Sequence, residues 1–287
     1  MVTVLPESEL EPRPRDADAM LENAAALIAR GGVLVLTGAG VSTASGIPDY
    51  RDEAGAWKRP PPMQFREFIG SEAARRRYWA RSFLGFGVLR AARPNLAHGV
   101  LVAWERLGLL AGLVTQNVDG LHQAAGAERV IDLHGRIDRV VCLACRRTSP
   151  RAALELELAR SNPGWSERPA LIAPDGDADP GAADYGDFVV PVCPCGGMLK
   201  PDVVFFGENV PKERVERAMA ALEASRALLV VGSSLMVFSG YRFVRAAERL
   251  GRPVVVVNRG RTRADASAVL KLDGDAGPIL GALARRI

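Results

Sequence analysis

The sequence predicts an α/β fold: a Rossmann-like parallel sheet with a smaller lobe inserted into it. Three observations carry this expectation. Apolar runs of strand length occur at Val33–Thr37, Leu110–Thr115, Val130–Leu133, Ala227–Val231 and Val254–Val257, as expected of parallel strands buried on both faces. Helical periodicities separate several of them, at Ala97–Leu107, Lys212–Ser225 and Tyr241–Leu250, and strand–helix alternation implies a parallel sheet. The first run ends in Gly38-Ala39-Gly40, a turn that lets backbone N–H groups approach a pyrophosphate near a helix N-terminus.

Ahead of the first strand, Ala19–Arg30 has a helical apolar pattern stopped by Gly31-Gly32. Residues 1–18 mix Pro, Glu, Asp and Arg and read as a disordered tail. Two stretches break the alternation. Residues 47–95 contain a Pro-rich loop, Arg59–Pro62, and a polar helix, Ser71–Phe83. Residues 138–202 hold the four cysteines, a helix at Arg151–Arg160 and a Gly/Pro/Asp-rich stretch, Asn162–Gly186. The expected organisation is a tail (1–18), a nucleotide-binding domain (19–46, 96–137 and 203–287) and a small lobe (47–95 and 138–202).

Hydrophobic residues make up 48% of the 287, enough for a sizeable core. No apolar run approaches the roughly 20 residues of a membrane span. The formal charge is +4, carried mainly by arginine, since lysine occurs only at 58, 200, 212 and 271. No basic block is long enough for a nucleic-acid arm, so neither membrane nor nucleic acid is an expected partner. No secretory apolar stretch is present, and residues 1–18 are too acidic for a mitochondrial presequence. A cytoplasmic location is the expectation.

The cysteines form two close pairs, Cys142/Cys145 and Cys193/Cys195, which in such a chain suggest a metal before a disulfide. Four thiolates are the usual closed, structural zinc site; free thiols are the alternative. His134 follows an apolar strand, and a neutral imidazole at a strand end suits a general base, although a structural histidine fits the position too. Gln116-Asn117-Val118-Asp119, also at a strand end, offers groups for an amide and ribose hydroxyls, or an Asx turn. His98 and His122 read as packing or hydrogen-bonding residues. Val203–Phe206, inside Lys200–Glu208, can pair with a peptide strand or lie inside a sheet. Tyr78 and Arg81 share a helix face and could clamp a carboxylate, or be solvated. Thr43 occupies the third-glycine position of the usual dinucleotide fingerprint, and no acidic residue follows on the second strand. Both points speak against a hydride-transfer dehydrogenase.

Longer motifs are more specific. GAGVSTASGIPDYR (Gly38–Arg51) resembles the cofactor loop of sirtuins, the NAD-dependent protein deacylases. TQNVDGLH (115–122), LHG (133–135), KPDVVFFGE (200–208), VVGSSLMV (230–237) and VNRG (257–260) follow in family order. IPDYR (47–51), RYWAR (77–81), NPxW (162–165), APDGD (173–177) and SGYRF (239–243) look most like the class II branch, which includes a mitochondrial animal member.

The resemblance implies NAD-dependent removal of acyl groups from protein lysines, giving nicotinamide and O-acyl-ADP-ribose. It implies one structural zinc on Cys142, Cys145, Cys193 and Cys195, the second pair one residue shorter than the family's common spacing. His134 would be the general base, with Asn117 also catalytic. Gly38, Ala39, Gly40, Ser42, Asp49, Tyr50, Arg51, Gln116, Asn117 and Asp119 would hold NAD on one side. Gly232, Ser233, Ser234, Asn258, Arg259, Gly260 and the backbone of Ala276 would hold its adenosine side. Val204, Phe205, Gly207, Glu208 and Val237 would flank the acyl-lysine peptide, with Tyr78 and Arg81 recognising acidic acyl chains. A protein mono-ADP-ribosyltransferase and a zinc-ribbon binding protein are the alternatives.

Overall fold

A computed structural model describes residues 14–58, 62–167, 171–172, 178–179 and 184–287. Most of the expected tail, residues 59–61 of the Pro-rich loop and the APDGD motif lie outside the described residues.

The chain runs through α1 (Pro14–Ala29), β1 (Val33–Thr37), α2 (Phe65–Gly70), α3 (Glu72–Ala91), α4 (Leu96–Arg106), β2 (Leu110–Thr115), α5 (Leu121–Ala124) and β3 (Val130–Asp132). It continues with β4 (Gly135–Cys142), β5 (Thr148–Pro150), α6 (Arg151–Ser161), β6 (Leu171–Ile172), β7 (Ala178–Asp179) and β8 (Leu199–Val203). It ends with α7 (Lys212–Glu223), β9 (Ala227–Val231), α8 (Phe238–Arg249), β10 (Val254–Asn258), β11 (Leu270–Asp273) and α9 (Ala276–Ala284). Among the described residues no helix is long and apolar enough to cross a membrane.

The major sheet has six strands in the order β11-β10-β9-β1-β2-β3, and every pairing in it is parallel. β1, β9 and β10 are buried throughout, because helices cover both faces. Alternate residues of each strand serve opposite sides. Val33 and Val35 pack with Ile28, Leu101, Trp104 and Leu280 from α1, α4 and α9. Leu34 and Leu36 pack with Leu222 and Phe243 from α7 and α8. β1 leads outward to β2 and β3, and β9 leads the other way to β10 and β11. The winding therefore reverses between β1 and β9, the place where doubly wound sheets open a ligand crevice.

A three-stranded antiparallel sheet, β5-β4-β8, stands beside the first. α2, α3 and α6 pack with it around Phe68, Trp79, Phe86, Leu158 and Phe188.

Two expected boundaries move for physical reasons. Residues 14–18, assigned to the tail, are helical: proline suits a first helical turn, and Arg286 ties Asp18 and Glu22 to the chain's end. The helix expected at Ser71–Phe83 continues to Ala91, because Phe86 and Leu89 bury in the small core. Ser71 caps it, its hydroxyl accepting from the Ala74 N–H.

At the winding reversal the loops after β1 and β9 meet backbone to backbone. A Cβ on Gly40 would lie 2.9 Å from Gly232 Cα, and one on Gly232, at φ +62°, would lie 2.4 Å from the Val41 nitrogen. Gly46 also has positive φ but faces open space. Gly232→Ala should therefore cost at least about 3 kcal/mol, combining left-handed strain with overpacking, and Gly46→Ala only about 1 kcal/mol. Urea denaturation of the two variants checks the contrast.

Candidate active site

The carboxyl ends of the central strands open into a cavity of about 390 Å³. Gly38, Ala39, Gly40 and Ser42, after β1, are on its wall, as are Asp49, Tyr50 and Arg51 on the loop that follows. Gln116, Asn117 and Asp119 reach it from the end of β2, and His134 from the turn between β3 and β4. Gly232, Ser233 and Ser234 follow β9, and Asn258 and Arg259 end β10. Val204, Phe205, Gly207, Glu208 and Val237 line the rest with Tyr78 of α3.

Three candidates fall elsewhere. Gly260 faces the neighbouring strand end, its N–H donating to Asp273 at 3.1 Å. Ala276 is buried as the first residue of α9. Arg81 is not among the lining residues, so the structure does not assemble Tyr78 and Arg81 as a clamp across the cavity. Tyr78 instead packs its ring on Phe68 and Phe205, at centroid distances of 5.4 and 5.0 Å.

The glycine loop continues as two short 3-10 turns, Ala39–Val41 and Thr43–Ser45, rather than as an α-helix. The expected helix N-terminus is therefore absent here, and Thr43 can stand at the third-glycine position because no helix packs against the sheet there. Gly38 and Gly40 are required chiefly by the loop after β9, whose Ser233 Cβ would be 2.7 Å from a Cβ on Gly38.

The polar groups form one connected set. The Ser42 hydroxyl donates to Asp119 at 2.7 Å and accepts from the Asn117 amide at 3.0 Å. Asp119 also accepts from the Leu121 N–H, so the expected Asx turn and a polar pocket wall coexist. The Gln116 amide donates to Ser233 Oγ at 2.9 Å, joining the ends of β2 and β9. Asp49 pairs with Lys58 at 2.5 Å, and Arg51 donates to the Gly55 carbonyl with Trp57 stacked at 3.9 Å.

His134 Nδ1 lies 2.9 Å from the Gln116 carbonyl and Nε2 lies 2.8 Å from Ser239 Oγ. The carbonyl can only accept, so Nδ1 holds the proton and Nε2 keeps a lone pair that accepts from Ser239. Surrounding protein desolvates the ring and lowers its pKa to about 4; the Gln116 contact opposes this, and Arg214 and Arg242 reinforce it. His134 is therefore neutral at physiological pH. β4 begins at Gly135, where a Cβ would collide with the Asp202 carbonyl of β8 at 1.9 Å, and the Val204 N–H donates to the His134 carbonyl at 2.8 Å. Backbone pairing thus fixes the catalytic candidate on both sides.

The other two histidines serve the frame. His98 Nδ1 accepts from the Asn95 N–H in a capping box on α4. His122 Nε2 contacts Thr37 Oγ1 at 2.9 Å, and burial takes its pKa to about 3. Glu208 is also partly structural: Oε2 accepts from the Phe205 N–H and from buried Lys200.

The description matched along residues 38–239 is the Sir2 family. The chain belongs to the Sir2 family. An NAD-dependent protein deacetylase of Xanthomonas campestris pv. campestris is 59% identical over 242 residues, covering 84% of this chain and 83% of that protein. NAD-dependent protein deacetylase 1 of Streptomyces coelicolor is 52% identical over 283 residues, covering 98% of this chain and 93% of that one. A Sir2 structure with a deacetylated p53 peptide and 3'-O-acetyl ADP ribose superposes with a TM-score of 0.72 at 30% identity, covering 93% of this chain and 96% of that one.

In this Sir2 chain the four cysteine sulfurs lie within 4.8 Å of one another. Cys142 and Cys195 are 3.5 Å apart and Cys145 and Cys193 3.8 Å; four thiolates at about 2.3 Å from a tetrahedral zinc would be about 3.8 Å apart. The quartet fits one zinc with no coordination position left for substrate. The short Cys193-Pro-Cys195 link is accommodated by the glycines that follow. Gly196, at φ +82°, turns back on the Cys193 carbonyl, and Gly197 passes so close that a Cβ would be 2.6 Å from Cys142 Sγ.

Ser239 and Arg242 do not stand out as site residues in the sequence, although SGYRF contains both. They lie one helical turn apart on α8, and their role depends on the contact with His134.

The purified protein should carry one zinc per chain by metal analysis, and a strong chelator should lower its melting temperature. Stability should also depend on pH. Between about pH 4 and 6.5 the unfolded chain holds a proton on His134 that the folded chain does not, and His122 extends the window to about 3. Stability then rises with pH through this window, by about 1.4 kcal/mol per pH unit for each histidine, and levels off above it. Melting curves from pH 4.5 to 8 check this, and the slope should lessen in His122→Gln.

Proposed function

We propose that this protein removes acyl groups from lysine side chains with NAD as cosubstrate, releasing nicotinamide and forming O-acyl-ADP-ribose. The observation that carries the reading is His134: a neutral imidazole with a fixed tautomer, its lone pair directed to a wall shared by the Gln116–Asp119 turn and both glycine loops. NAD supplies a glycosidic bond whose nicotinamide can leave and whose ribose can accept the acyl group.

The chain's own residues divide the remaining work. Backbone groups of Gly38–Gly40 and Gly232–Ser234 receive the phosphates, with Asn258, Arg259 and, nearby, Gly260 and Ala276 on the adenosine side. Ser42, Asp49, Asn117 and Asp119 form the polar end for the nicotinamide amide and ribose hydroxyls. Tyr50 and Arg51 lie on the covering loop. His134 Nε2 takes the proton from a ribose hydroxyl, for which a low pKa keeps the base ready across neutral pH. An acylated-lysine peptide lies between Val204–Glu208 and Val237, adding to the backbone there.

The same reading takes residues 19–46, 96–137 and 203–287 as the NAD-binding domain and the intervening segments as the small lobe. It assigns the chain to the class II branch on IPDYR, RYWAR, NPxW and SGYRF. It places the enzyme in the cytoplasm, where four thiols stay reduced for metal.

Acylated lysine peptides incubated with NAD should yield nicotinamide, free lysine and O-acyl-ADP-ribose by mass. His134→Ala should lower kcat/KM about 100-fold or more. The acid limb of kcat/KM should lie well below pH 6.5. ADP-ribose attached to protein, with no acyl product, would overturn the reading.

A further inference from the structure

The wall of the cavity carries seven charged side chains, Asp49, Arg51, Asp52, Asp119, Glu208, Arg242 and Arg259, and six have polar or ionic partners. Asp49 pairs with Lys58, and Asp52 accepts from the Ala56 N–H. Asp119 accepts from Ser42 and Leu121, and Glu208 from Lys200 and Phe205. Arg51 donates to Gly55, and Arg259 makes a two-point pair with Asp275.

Arg242 differs. Among the described residues it has no carboxylate partner, and its Nε is buried with no acceptor. Phe238 holds the guanidinium by its ring at 5.5 Å. The placement is fixed by packing. α8 presses so closely on the end of β2 that a Cβ on Gly240 would lie 2.4 Å from Gln116 Oε1. The same packing sets Ser239 on His134 and, three residues on, Arg242 on the cavity wall. A buried donor without an acceptor is costly to keep, and a guanidinium presents paired donors suited to a carboxylate.

We infer that Arg242 is a specificity-determining residue that receives a carboxylate of the acylated substrate. The carboxylate has two possible sources: the far end of a dicarboxylic acyl chain, or an acidic residue beside the modified lysine. The inference rests on the deacylase reading, which supplies the substrate.

The test uses the intact protein and three peptides of one backbone: acetyl-lysine with neutral flanks, acetyl-lysine with a glutamate on either side, and a dicarboxylic acyl-lysine with neutral flanks. At least one carboxylate peptide should exceed the neutral one in kcat/KM, and Arg242→Met should lower that ratio about tenfold or more. Arg242→Lys should retain part of it, and melting curves establish that both variants fold. The favoured arm identifies the source. The ratio cancels any general effect of the lost charge on His134. No preference for either carboxylate peptide, or a ratio unchanged in Arg242→Met, overturns the inference while leaving the deacylase reading intact. Absence of nicotinamide release from every peptide overturns both.

Discussion

The molecule depends on a backbone contact where no side chain fits: the loop after β1 against the loop after β9. Gly38, Gly40 and Gly232 let the two strand ends approach to van der Waals distance. That approach leaves the sheet's opening beside the contact rather than at it. The Gln116–Ser233 hydrogen bond then ties β2 into the same junction, and α8 settles onto Gln116. Each later feature of the site is positioned from this point: the Asn117–Ser42–Asp119 set, the His134–Ser239 contact and the Arg242 guanidinium.

The electrostatics follow from the packing. Removing water from around an imidazole favours its neutral form, and this site does so without a carboxylate beside the ring. Gln116 contributes a carbonyl, which orients the ring with little charge. Two guanidinium groups further disfavour the protonated form. The result is a base held deprotonated by its surroundings, at some cost in acid stability.

How much of this is legible in the sequence follows from how each part is buried. Val33–Thr37, Leu110–Thr115 and Ala227–Val231 coincide with the observed strands, because burial on both faces demands unbroken apolar runs. β4 reads GRIDRVVC and β8 LKPDV; each carries charge to a partly exposed sheet, so neither announces itself. β11 and α9 are hidden too, the first short and half-buried, the second lacking a polar face that would set its period. In the site, residues at strand ends can be read, since the crevice of a parallel sheet forms there. Ser239 and Arg242 cannot, because neither has a meaning until α8 is docked. The Tyr78–Arg81 spacing is visible, but sharing a helix face does not decide which residue faces the cavity.

β4 has a further consequence. It is a single eight-residue strand that leaves His134 at one end and delivers Cys142 at the other, a span of roughly 27 Å at an extended rise. The base and the sulfur cluster are therefore mounted on one rod, clamped along its length by β8. Oxidation of the thiols, far from any reacting atom, would slacken that rod at its anchor and reach the imidazole as lost alignment, so that sulfur chemistry at the rim governs geometry at the centre.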